Sequence, residues 1–309
     1  MTMSQDWYGV DVAKRWIDVH VLSSGAICRV PTDPRALAAF AAEACGAGAT
    51  VVLEASGGHE RALIEALDAA GAKRARVNAR QARDFARATG RLAKTDRVDA
   101  AVLAQMGRAL DLAPDAPPDP ARQRLARLAR RLEALNEMDK SERQRLSTEP
   151  DAFIRRDIAA LRRSLARRIA TLEAEIAALI EASPNLARDE RILRSAPGVG
   201  PVLAHRILAY LPELGTLDRR AAASLAGLAP HACDSGTMRG RRMLWGGRAE
   251  ARRALYLAAF IATRFDDRLR AFRNRLQDAG KPPKLAIIAA ARKLVTILNA
   301  MLRDGQQYA

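Results

Sequence analysis

Four acids in the first third of the chain have the type and spacing to do metal-assisted chemistry. Asp11 ends an apolar run, Tyr8-Gly-Val-Asp-Val12, and Glu54 ends another, Thr50-Val-Val-Leu-Glu54. Asp96 and Asp99 lie three apart in Lys94-Thr-Asp-Arg-Val-Asp-Ala100, at the start of an expected helix, so both carboxylates share one helical face. Crowded carboxylates repel unless a cation neutralises them. Hard oxygen ligands suit Mg²⁺, and a two-metal site stabilises the attacking and leaving oxygens of phosphoryl transfer. Taken singly, each acid also fits a helix cap or a surface charge. Asp18 reads as a mid-hairpin acid and Glu60 as an early-helix charge favoured by the helix dipole.

A second constellation lies far downstream. Ser235 precedes Gly236, and Arg239, Arg241, Arg242, Arg248, Arg252 and Arg253 follow, with only Glu250 opposing. A hydroxyl on a backbone that approaches its substrate closely, among guanidiniums that neutralise phosphate, is the equipment of a nucleophile attacking a phosphodiester. A Ser-Gly turn without chemistry has the same composition. Between the two sets, Pro197-Gly-Val-Gly-Pro201 joins two helical patterns as a helix-hairpin-helix, whose backbone N–H groups at Gly198 and Gly200 would hold a DNA phosphate. A tight helical corner without a ligand is the plain alternative. His231 and Cys233 lack a second ligand pair for zinc, and His59 and His205 read as ordinary helix residues.

These residues need elements to position them. Tyr8–Val12, Trp16–Leu22 and Ala26–Val30 read as three hairpin-connected strands. Asp33-Pro34 opens a helix to about Cys45, with Asp33 as its cap. Thr50–Leu53, a helix to about Ala70, and strand Ala75–Asn78 follow. Three strands and then β-α-β is the order of a ribonuclease-H-type sheet, in which the first and fourth strands are neighbours and their ends meet the following helix. The proline-rich stretch 113–120 marks a domain boundary. Two long helices, near 121–147 and 150–183, carry Leu125, Leu128, Leu132, Leu135 and Met138, then Ile158, Leu161, Leu165, Ile169, Leu172, Ile176 and Leu179. That is a coiled-coil or helical-hairpin seam, and its partner is either the same chain or a second copy. From 186 onward the pattern reads as short helices with glycine-rich connections. The expected organisation is α/β followed by all-α: 1–112, 113–185 and 186–309.

Composition sets the outer bounds. The 309 residues carry a net charge of +16, and 44 of the 51 cations are arginine, which matches phosphate oxygens in pairs. The charge is uneven: +3 over 1–110, +1 over 111–185 and +12 over 186–309. An apolar content of 49% excludes a disordered chain, and 4% aromatics favours closely packed helices over an aromatic-rich β-sandwich. Cys28, Cys45 and Cys233 are too few and too irregular for a disulfide framework, which suits a reducing cytoplasm. Asp6 and Asp11 interrupt any leader-like opening, and the longest apolar stretches contain Glu43, or Arg292 with Lys293, so no membrane span is expected.

The motifs together resemble one family. Gly9-Val-Asp-Val-Ala-Lys14, Leu53-Glu-Ala-Ser-Gly57 and Lys94–Ala100 are similar to the DEDD motif of bacterial insertion-sequence transposases. Pro197–Pro201, Leu225-Ala-Gly-Leu-Ala-Pro230 and Ser235-Gly236 resemble their C-terminal transposase domain. The class includes pilin-gene invertases and bridge-RNA-guided recombinases. The resemblance implies a RuvC-like, ribonuclease-H-fold domain, a helical middle and a DNA-recombining C-terminal domain. It implies that Asp11, Glu54, Asp96 and Asp99 hold Mg²⁺ and that Ser235 forms a phosphoserine with DNA. Lys94, Arg97, Gly198, Gly200, Arg239, Arg241, Arg242, Arg248 and Arg252 would contact nucleic acid. A structured guide RNA would pair with target and donor DNA, and a homodimer or homotetramer would join one protomer's acids to another's serine. Ser56 and His59 stand where the family often has Thr and Tyr. The expected activity is RNA-guided DNA recombination. The rivals are a RuvC-like nuclease, an invertase without guide RNA, and a non-enzymatic nucleic-acid scaffold.

Overall fold

The computed structural model describes residues 6–55, 57–90, 96–115, 119–231 and 243–309; of residues 96–98 and 231 only the backbone is described. The chain divides into two compact units, 1–117 and 118–309.

The first unit is built on a five-stranded sheet. Its strands are β1 (Trp7–Val12), β2 (Trp16–Val21), β3 (Ile27–Pro31), β4 (Thr50–Glu54) and β5 (Lys73–Val77), in the order β3-β2-β1-β4-β5. β1, β2 and β3 pair antiparallel, whereas β4 runs parallel to both β1 and β5. This is the arrangement expected of the sheet, with the first and fourth strands adjacent. Alternation along the strands sends Val10, Val12, Val51 and Leu53 into one core with Leu37 and Phe40 of α1 (Pro34–Gly46) and Leu63 and Leu67 of α2 (Arg61–Ala69). Trp7, Val52 and Val77 face the opposite side. There they meet Ala82 of α3 (Ala79–Ala88) and Leu103 and Met106 of α4 (Asp96–Leu110). Asp33 caps α1 by accepting from the Ala36 amide, as its place before Pro34 foretells.

α4 lies unusually close to the sheet. A Cβ on Gly9 would sit 1.9 Å from the Ala100 carbonyl oxygen and 2.4 Å from the Ala104 nitrogen. One on Gly107 would sit 2.4 Å from the Trp7 ring and 2.7 Å from a Val52 methyl. Gly107 therefore faces the start of β1 and Ala100 faces its middle, so α4 runs antiparallel to β1. Its N-terminus reaches the end of β1 where Asp11 lies.

Among its described residues, the second unit is helical apart from one short β-pair. α5 (Pro120–Thr148) and α6 (Ala152–Ala182) form an antiparallel hairpin, capped at its turn by Asp151 and tied by Arg162–Asp139 and Arg124–Glu175 ion pairs. The apolar seam pairs the two helices within one chain: Leu125, Leu135, Ile158, Leu165 and Ile176 are buried, while Met138 and Leu161 face outward. The base of the hairpin enters the same core as the remaining helices through Leu125, Ala129, Ile176 and Ile180. Those helices are α7 (Pro184–Arg194), α8 (Pro201–Tyr210), α9 (Arg219–Leu225), α10 (Ala249–Phe265), α11 (Asp267–Asp278) and α12 (Pro283–Asp304). Two of them correct the expectation of short helices after 186. α10 has 17 residues and α12 has 22, because alanine and leucine repeat there without a breaker. α12 is long and apolar enough to cross a membrane, yet its Leu294, Val295 and Leu298 are fully buried in this core.

Candidate active site

The carboxylates of the first unit occupy one face of its sheet. Val10 pairs with Leu53, so Asp11 and Glu54 take the next step on adjacent parallel strands. Asp11 shares the parity of Trp7 and Gly9, and Glu54 that of Val52, so both are on the α4 side. α4 begins with Asp96 and Asp99 at this same end. Two strand ends and one helix start thus carry all four acids of the expected set. Asp11, Glu54 and Asp99 are half-buried. Among the described residues no group of three or more acids, histidines or cysteines is closed tightly enough to hold a metal, and the Asp96 side chain lies outside the description.

A charged row extends across the sheet from this point. Asp11 stands opposite Asp18 on β2, and Asp18 stands opposite Arg29 on β3. Directly opposed residues share a face, and like charges there repel. The row is relieved by Arg29, whose Nε and Nη2 donate to the Asp18 carboxylate at 2.9 and 2.8 Å while its guanidinium stacks 4.5 Å from the centre of the Trp16 ring. Asp18 is buried and matched. Its pairing with Arg29 is a contact that the hairpin position alone did not reveal. Glu60 likewise turns inward, accepting from the Gly58 amide at 2.8 Å. The acids on the α4 side, Asp11, Glu54 and Asp99, offer carboxylate oxygens, the donor type that suits a hard divalent cation.

In the second unit, the glycine hairpin between α7 and α8 is set by packing. Gly198 has φ +78°, and a Cβ there would sit 2.3 Å from the Ala258 carbonyl oxygen on α10. Gly200 caps α8 and has open space around it, and Val202 in the first turn is exposed. His205 on α8 lies 3.1 Å from Glu190.

The serine segment falls between β6 (Pro230–His231) and β7 (Met243–Leu244), which pair antiparallel. Ser235, Arg239, Arg241 and Arg242 lie outside the described residues, as does Lys94, and of Arg97 only the backbone is described. The base of the segment is well defined. A Cβ on Gly247 would sit 2.2 Å from the Gly227 nitrogen, so the two turns touch backbone to backbone. Arg252 Nη1 donates to the Gly227 and Gly246 carbonyls at 3.3 and 3.2 Å. Arg248 grips Glu213 with two bonds of 2.6 Å and donates to the Tyr210 carbonyl at 2.8 Å. Arg253 bridges Glu133 at 3.2 Å. These three guanidiniums hold the protein together at the foot of the loop. Sequence reasoning grouped them with the loop arginines because only the fold brings Glu213, Glu133 and Gly227 to them. Burial, reinforced by the charges of Glu133 and Glu250, pushes the Tyr210 phenol above its ordinary range and keeps it protonated.

Comparison with known proteins finds matching family models for two stretches of the chain. A model of DEDD transposases of the IS110 type, described as a transposase, matches residues 8–148. A second, described as the IS116/IS110/IS902 transposase family, matches residues 190–274. An uncharacterized 43.6 kDa protein of insertion element IS110 from Streptomyces coelicolor is 39% identical over 140 residues, covering 44% of this chain and 33% of that protein. An uncharacterized 42 kDa protein of insertion element IS900 from Mycobacterium paratuberculosis is 34% identical over 160 residues, 47% of this chain and 38% of that protein. A pilin gene-inverting protein from Moraxella bovis is 32% identical over 145 residues, 45% of either chain. In each case the match spans less than half the relative's length.

Proposed function

The chain belongs to the IS110-type transposases of insertion elements, and from that premise we propose that it cuts and rejoins DNA with a carboxylate centre and a serine nucleophile. The observation that carries the reading is the register of the sheet: Asp11 and Glu54 at neighbouring strand ends, on the face where α4 begins with Asp96 and Asp99.

In this reading Asp11, Glu54, Asp96 and Asp99 hold Mg²⁺, which when bound neutralises the charge that builds on a phosphodiester under attack. Ser235 Oγ attacks phosphorus, its proton leaves, and a P–O bond to the departing deoxyribose oxygen breaks as that oxygen is protonated. Rejoining reverses the step: a deoxyribose hydroxyl attacks the phosphoserine and Ser235 recovers its proton. Arg239, Arg241 and Arg242 neutralise the phosphate, and Arg248 and Arg252 hold the base of the loop. Lys94, Arg97 and the amides at Gly198 and Gly200 contact the DNA backbone. The protein works in the cytoplasm as a homodimer or homotetramer, on target and donor DNA paired with a structured guide RNA. Its parts are a carboxylate domain over 1–112, helices over 113–185 and a transposase domain over 186–309.

A second reading needs no group from the second unit and is supported by Asp11 and Glu54 at neighbouring strand ends beside the start of α4: a RuvC-like nuclease in which water replaces the serine. The similarity to a pilin gene-inverting protein favours a variant in which a segment is inverted without guide RNA. The test is Ser235→Ala beside Asp11→Asn with a labelled DNA substrate. The proposal expects a denaturant-resistant protein–DNA adduct that Ser235→Ala abolishes while DNA binding is unchanged. Cleavage by Ser235→Ala to free hydrolysed ends would transfer the reading to the nuclease.

A further inference from the structure

Several arginines of the second unit are matched to carboxylates, including Arg122, Arg124, Arg162, Arg206, Arg248 and Arg253. Between α11 and α12 two cations instead meet at one aromatic ring. The Arg275 guanidinium lies 5.4 Å from the centre of the Phe272 ring, and the Lys293 ammonium, reaching over from α12, lies 5.0 Å from the same ring. Neither cation is ion-paired to a carboxylate among the described residues. Arg268, two turns before Arg275 on the same face of α11, stacks 4.9 Å from Tyr308 but is itself paired with Asp266 at 3.8 Å. Across 264–293 there are nine basic residues and three acids. Two of those acids are already engaged: Asp266 accepts from the Leu269 amide and the Tyr308 hydroxyl, and Asp267 pairs with Arg270.

A ring holds a cation in place without cancelling its charge. Two like charges converging on one ring repel each other, and a shared anion relieves that repulsion. We propose that Arg275 and Lys293, ordered by Phe272, form a phosphate grip for duplex DNA, apart from the carboxylate face and the serine segment. The proposal rests on the transposase reading for the choice of DNA. The cations supply backbone contacts, which position a duplex without reading its sequence.

The experiment measures binding of the full chain to a fluorescent duplex of arbitrary sequence across a salt series, for wild type, Arg275→Gln/Lys293→Gln and Arg275→Lys/Lys293→Arg. Each lost phosphate contact lowers the slope of log K against log salt by about 0.9. The neutralised pair is expected to lower the slope by about 2 and to weaken binding about tenfold or more at low salt, and the charge-preserving pair to retain the slope. Circular dichroism confirms that each variant folds. An unchanged slope in the neutralised pair overturns the grip and leaves the transposase reading standing, because that reading is tested by the Ser235 adduct. A slope lost with duplex RNA and retained with DNA overturns the choice of DNA.

Discussion

Gly9 shows how one residue places carboxylates that it does not carry. Its missing side chain lets α4 approach until backbone meets backbone, and that approach brings Asp96 and Asp99 to the end of β1. A Cβ 1.9 Å from the Ala100 oxygen cannot be accommodated, since the obstacle is helix backbone rather than a flexible side chain. Gly9→Ala is therefore expected to cost about 3 kcal/mol or more, read as a drop in the urea midpoint. Stability within about 0.5 kcal/mol of wild type would mean that α4 does not sit where it is described. Asp18 makes the complementary point. It stands directly opposite Asp11 on the next strand, but Arg29 claims both its oxygens.

At the scale of elements, the junction of α10 and α11 is held by Asp266. Burial would push its carboxyl up, but the Tyr308 hydroxyl at 2.7 Å, the Leu269 amide at 2.7 Å and the Arg268 charge outweigh that and hold it below the ordinary range. A carboxyl lowered in the folded state stabilises the fold above its unfolded value of about 3.9, and the gain is lost as pH falls through the folded value. Tyr308→Phe is expected to cost about 1 kcal/mol at neutral pH and progressively less in acid, by urea denaturation at stepped pH. A cost that stays constant into acid would show that the hydroxyl acts without the carboxylate. The foot of the serine segment is built on the same scale. There Gly227 and Gly247 pack backbone to backbone and Arg252 ties two turns, so the loop is anchored by groups far apart in sequence.

For the whole molecule, the two units have separate interiors. The sheet unit has a core on each face of its sheet, and helices α5 to α12 share one core. Mg²⁺ held by the carboxylates would stabilise only the unit that binds it, by about 2.7 kcal/mol at a hundredfold excess over its dissociation constant. Calorimetry is expected to show Mg²⁺ raising one transition and leaving the other in place, with Asp11→Asn abolishing the rise. A rise of equal size in Asp11→Asn would remove Asp11 from the metal site. The charge follows the same division. The sheet unit is nearly neutral, and the cations concentrate beyond residue 186.

Much of this was legible in the residues alone. Alternation marked the strands, Asp33-Pro34 marked the start of α1, and leucine spacing marked the long helices, because each is a local rule acting over a few residues. The order of three strands and β-α-β was enough to expect β1 beside β4, and so Asp11 beside Glu54. Which cations are spent and which are spare was not legible. Arg248, Arg252 and Arg253 read as phosphate ligands until the fold brought them Glu213, Gly227 and Glu133. Arg275 and Lys293 meet at one ring only because α11 packs against α12. Local sequence determines what each residue offers. Only tertiary contact, between groups tens of residues apart, decides whether a charge is already answered within the protein or left to meet a ligand.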